Sequence, residues 1–123
     1  MSAFTYYNAN PYHIEEEDCV CRAISAGTGL PYYVVYNLLT LVADKNCCDK
    51  LNVECYSKVL EDVFRYKVVY VHNKTVSEIA NRYRNNIVII RMEGHLTCSI
   101  YGAVADIWDC TNEIVDRFWI VQR

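Results

Sequence analysis

The stretch His95-Leu96-Thr97-Cys98-Ser99-Ile100-Tyr101-Gly102-Ala103-Val104-Ala105-Asp106-Ile107-Trp108 predicts a β-hairpin, and few features constrain a fold more tightly. Glycine supplies the positive φ that a two-residue turn needs, so Tyr101-Gly102 is the turn. The turn sets the register: Ile100 faces Ala103, Thr97 faces Asp106, and His95 faces Trp108. Because side chains alternate along a strand, His95, Thr97, Ser99, Asp106 and Trp108 share one face. Leu96, Cys98, Ile100, Ala105 and Ile107 make the other face, which is apolar and suited to packing. Diagonal neighbours across such a pair lie roughly 7–8 Å apart at the backbone, within reach of a His–Asp hydrogen bond. Asp109 falls on the other face in this register, and a one-residue slip exchanges it with Asp106.

Further strands surround the hairpin. Ile87 to Met92 is an apolar run expected at the sheet centre, Lys67 to Val71 is β-branched, and Arg117 to Val121 reads as the last strand. Helices come first. Asp18 is the expected N-cap of a helix reaching about Ser25, with Gly27 and Gly29 ending it. Pro31 opens a second helix, Tyr32 to about Asp44, with an apolar stripe of Val34, Val35, Leu38, Leu39, Leu41 and Val42. A third runs from about Val53 to Arg65. Thr75 and Glu78 have capping-box spacing, which predicts a short helix to about Arg84. The expected class is α+β: N-terminal helices packed on a C-terminal antiparallel sheet. Residues 1–17 read as an extended arm, broken by Asn8, Asn10 and Pro11, and residues 18–123 as one domain.

A chain of 123 residues suits one domain and buries enough surface to hold a core without disulfides. A net charge of -3 gives no footprint for nucleic acid. No apolar run reaches the length that spans a bilayer, and the first residues lack a signal-peptide pattern. Seven cysteines without regular spacing therefore predict reduced thiols in a cytoplasmic protein. Cys47, Cys48 and Cys55 form no CxxC pair and have no histidine at ligand spacing, so neither a metal nor another cofactor is expected.

Cys19 stands at the start of the first helix, where the positive end of the helix dipole favours a thiolate. Cys21 lies roughly 200° further round that helix and reads as core. Arg22, one turn on, reads as an ion-pairing partner of Asp18 or Glu15. An early Cys on a helix start, with a late His and Asp on strands, is an arrangement used for nucleophilic catalysis.

These residues carry a family resemblance. Asp18-Cys19-Val20, Arg22-Ala23-Ile24, Thr28-Gly29, His95-Leu96 ahead of a glycine turn and Asp106-Ile107-Trp108-Asp109 resemble small phage-encoded papain-like cysteine peptidase domains, over about Asp18 to Trp119. The resemblance implies a papain-like fold in which Cys19 is the nucleophile, His95 the general base and Asp106 the residue that orients it. Trp108 would shield the pair, with Asp109 the other candidate for third member. Papain-like enzymes carry an amide side chain shortly before the nucleophile to help form the oxyanion hole; six positions before Cys19 this chain has His13. His13, Asn10 or the Cys19 backbone N–H is then the expected oxyanion donor. The implied partner is a protein or peptide substrate, or a host protein in the host cytoplasm for a phage-encoded chain. A catalytically weak binding module on the same fold is the alternative.

Overall fold

Glycine and proline set the limits of the first two helices. In the computed structural model, which describes residues 3–12 and 18–122, α1 spans Cys19–Thr28. Gly29 follows it in the left-handed region (φ 80°), from which its N–H reaches the Ser25 carbonyl; glycine adopts this conformation without a Cβ penalty. Gly27, expected to help end the helix, lies inside it instead. A Cβ there would stand 2.8 Å from the Ile89 side chain, so the glycine lets α1 press directly onto the sheet. Pro31 precedes α2 (Tyr32–Asn46). The third helix is shorter than expected: α3 (Val53–Lys58) continues as a π-helical turn over Val59–Val63. α4 (Val76–Arg82) carries the expected capping box, in which Thr75 Oγ1 accepts the Glu78 N–H and the Thr75 N–H donates to the Glu78 carboxylate.

Six strands form one sheet: β1 (Ala3–Tyr6), β2 (Lys67–Thr75), β3 (Ile87–Met92), β4 (His95–Ile100), β5 (Ala103–Asp106) and β6 (Ile114–Val121). Their spatial order is β1-β5-β4-β3-β6-β2. The sheet is mixed, not antiparallel throughout, because β1 pairs parallel with β5. Part of the expected N-terminal arm is thus an edge strand, and the Tyr7 N–H prolongs the pairing by donating to the Asp106 carbonyl at 2.9 Å.

Strand alternation divides the core in two. Ile87, Ile89, Leu96, Cys98 and Trp119 face Val20, Ala23 and Ile24 of α1, with α2 and α3 behind them. Val88, Ile90, Val104 and Phe118 point the other way, against Val76, Ile79 and Ala80 of α4. β3 is sandwiched between these layers, which is why its sequence is apolar at nearly every position. Among the described residues no helix is long and apolar enough to cross a membrane.

Candidate active site

The hairpin turn delivers the first pair of site residues. Tyr101 (φ 50°) and Gly102 (φ 89°) both lie at positive φ, as a type I′ turn requires. Ile100 pairs with Ala103, Ser99 with Val104 and Cys98 with Ala105. In this register the His95 Nε2 stands 2.6 Å from Asp106 Oδ2. The other carboxylate oxygen accepts the Ile107 N–H at 2.7 Å, and the Cys110 thiol donates to Oδ2 at 3.5 Å. The Trp108 ring lies 4.9 Å from the imidazole, centroid to centroid. Asp109 is exposed and accepts from the Thr111 N–H and hydroxyl of its own turn, so the carboxylate that meets His95 is that of Asp106.

Cys19 approaches from the other side of the sheet. α1 packs on the Leu96 and Cys98 face, opposite to Thr97 and Ser99. But Cys19 is the first residue of α1 and His95 the first of β4, so both stand at element ends around one cavity. Cys19 lines the same cavity as the imidazole and favours its protonated form. Since Nε2 is held by Asp106, Nδ1 is the ring nitrogen left for the thiol. Burial alone would lower the His95 pKa; hydrogen bonds with Asp106, then Cys110 and Cys19, reverse this and raise it to about 11. Burial likewise opposes ionisation of Asp106, yet its bond to His95 holds the carboxyl below its ordinary range. The pair is therefore an imidazolium and a carboxylate at neutral pH.

The cavity has a volume of about 660 Å³ and is bounded by Cys19, Tyr56, Arg91, His95 and Trp108, with residues 51–54 along one wall. Arg91 is tied by a 2.5 Å ion pair to Asp116 of β6, and burial pushes the Tyr56 hydroxyl up to about 12. Neither residue was singled out from the sequence, nor was Cys110. No local pattern marks them, because strand pairing and helix packing bring them in.

On the N-terminal side, Asp18 stands at the N-cap position of α1 but makes no side-chain cap bond. Its carboxylate instead binds the buried Arg22 side chain, the Asn10 amide Nδ2 at 3.1 Å and the Tyr32 hydroxyl at 2.7 Å. Arg22 one turn on and the more distant Asn10 and Tyr32 together outcompete the local cap. The Asn10 Oδ1 accepts the Tyr12 N–H at 2.9 Å, so both ends of that amide are engaged. His13 lies outside the described residues. Cys21 is buried, donates to the Tyr32 carbonyl, and is raised to about 12 by burial. Contrary to the expectation of reduced thiols throughout, Cys48 and Cys55 are joined by a disulfide; Cys19, Cys21, Cys47, Cys98 and Cys110 remain thiols. The metal-ligand types that do cluster among the described residues are His95, Asp106 and Cys110.

The chain matches no known family model, no curated protein and no solved structure. Its function is therefore read from this geometry.

Proposed function

We propose that the protein is a papain-like thiol hydrolase acting on an amide, isopeptide or thioester carbonyl of a protein or peptide substrate, with Cys19, His95 and Asp106 as its triad. The observation that carries this reading is that Cys19 and His95 share one cavity while Asp106 binds Nε2 of the imidazole and leaves Nδ1 to the thiol in this reading. The Cys19 thiolate adds to the carbonyl carbon, and the proton on His95 Nδ1 passes to the leaving group. Water, deprotonated by the now neutral imidazole, then attacks the thioester and releases the acid and the thiol. Asp106 keeps the ring oriented and stabilises the imidazolium at each return. Of the three oxyanion donors expected from the sequence, Asn10 is occupied by Asp18. The Cys19 backbone N–H, in the first turn of α1 and not capped by Asp18, is the one this reading uses.

The engaged Asn10 amide is also the observation that favours the second reading, a binding module with weak or no catalysis that engages a host protein in the cytoplasm. Alkylation separates the two readings, with the exposed Cys47 as an internal reference. With a hydrolase, Cys19 is alkylated by iodoacetamide faster than Cys47 at pH 6, His95→Ala abolishes that advantage, and Cys21 stays unlabelled. Alkylation of Cys19 no faster than Cys47 overturns the hydrolase reading.

A further inference from the structure

We propose that His95, Asp106 and Cys110 bind a thiophilic divalent cation of the zinc type, and that the bound ion switches the thiol hydrolase off. The switching rests on the function proposed above; the binding does not. The His95 Nε2, an Asp106 carboxylate oxygen and the Cys110 Sγ all lie within 4.8 Å of one another. The closest pairs stand 2.6 Å and 3.5 Å apart. Tetrahedral zinc with nitrogen, oxygen and sulfur ligands sets its donors about 3.4–3.7 Å apart, so a cation enters by widening the His95–Asp106 contact by roughly 1 Å. Imidazole, carboxylate and thiolate are a donor set that zinc takes and that magnesium or calcium does not.

A further observation favours a cation. Thr97, on the same face of β4 as His95, is buried, and its hydroxyl has no hydrogen-bond partner among the described residues. It lies near enough to Asp106 and Cys110 to favour their charged forms without meeting either in good hydrogen-bond geometry. A buried hydroxyl in that state is costly, and here it is placed to hold a water as the fourth ligand. An ion on Nε2 displaces the Asp106 hydrogen bond and removes the proton-bearing imidazolium that the hydrolase reading needs.

The test is a titration of the full chain, carrying Cys47→Ser to remove the exposed thiol, with cobalt(II) as a spectroscopic probe. The expected result is one equivalent bound, with a thiolate-to-cobalt charge-transfer band that zinc displaces. Cys110→Ser removes the band, as does His95→Gln as a second variant at the cavity wall, and each weakens zinc binding by roughly tenfold or more. Cys19→Ala leaves the band in place. No band in the Cys47→Ser protein, or a band lost with Cys19→Ala and retained in Cys110→Ser, overturns the site. A Cys110-dependent band in a protein that hydrolyses nothing keeps the metal site and rejects the hydrolase. In an active protein, zinc inhibits in proportion to its occupancy of this site, and activity unaffected at full occupancy overturns the switch.

Discussion

At the scale of single residues, the His95–Asp106 pair decides how the molecule responds to pH. The folded protein raises the His95 pKa from about 6.5 to about 11, burial being outweighed by the bond to Asp106. A group whose folded pKa is raised contributes stability that is fully present below its unfolded pKa and is lost as pH rises through the folded one. The His95 contribution is thus complete below about pH 6.5 and erodes as pH climbs toward about 11. Asp106, shifted down by the same bond, contributes above its unfolded pKa and loses that contribution as pH falls through its folded pKa. Asp106→Asn should lower stability at pH 7 by about 3–5 kcal/mol, since it strips a buried imidazolium of its counter-charge. Urea unfolding followed from pH 6 to 10 should also show the downward slope of the wild type flattened in this variant; an unchanged slope would mean that the pair is not ionised. This pairing was legible in the sequence because one glycine turn fixes the register by counting. The fate of Asp18 was not. Its capping role is a local expectation, and it loses to Asn10, Arg22 and Tyr32, two of them eight or more residues away. Cys110 escaped for a related reason: it sits in the loop after β5, where no periodicity says which way a side chain turns.

At the scale of elements, α1 matters because it sets Cys19 at the rim of the cavity while lying flat on β3 and β4. Close approach depends on Gly27, where a Cβ would meet Ile89 Cγ1 at 2.8 Å. Two effects compete in Gly27→Ala. Alanine favours the helix by about 1 kcal/mol, whereas forcing a methyl into a packed interface costs about 1–3 kcal/mol. Ile89 is fully buried and cannot swing aside, so the packing cost wins. The expected net loss is about 1 kcal/mol, or about 4 °C in Tm for a chain of this length. Ile89→Ala removes both carbons that the Cβ would meet, Cγ1 and Cδ1, and the double variant should recover part of the Gly27→Ala loss in a thermal-unfolding cycle. Additive losses would place the strain elsewhere. Glycine in a predicted helix reads as a stop signal, and Gly29 obeys that rule while Gly27 breaks it. The difference lies in the sheet beneath the helix, which the local sequence cannot show. β1 is the same kind of case. Four residues with no alternation read as an arm, and only β5, a hundred residues along the chain, makes them a parallel edge strand.

At the scale of the whole molecule, the cavity is an assembly of distant pieces: α1 supplies Cys19, the β4–β5 hairpin supplies His95 and Trp108, and residues 51–54 close a wall. That wall is the least supported of the three. Leu51 and Asn52 are exposed, and the segment links α2 to a helix of six residues. The Cys48–Cys55 disulfide closes a loop around it, with a sequence separation of 7. A cross-link over so short a loop restricts the unfolded chain enough to stabilise by roughly 2 kcal/mol, and it ties the wall to the fully buried Cys55 on α3. Cys48→Ser should therefore lower Tm by several degrees and speed amide exchange in residues 49–54, with β3 protected as before. If the protein is the proposed hydrolase, the effect on catalysis should fall on KM and spare kcat, because Cys19, His95 and Asp106 belong to other elements. A fall in kcat at unchanged KM would mean that the wall helps to position the proposed triad, and that the cavity and those three residues form one cooperative unit.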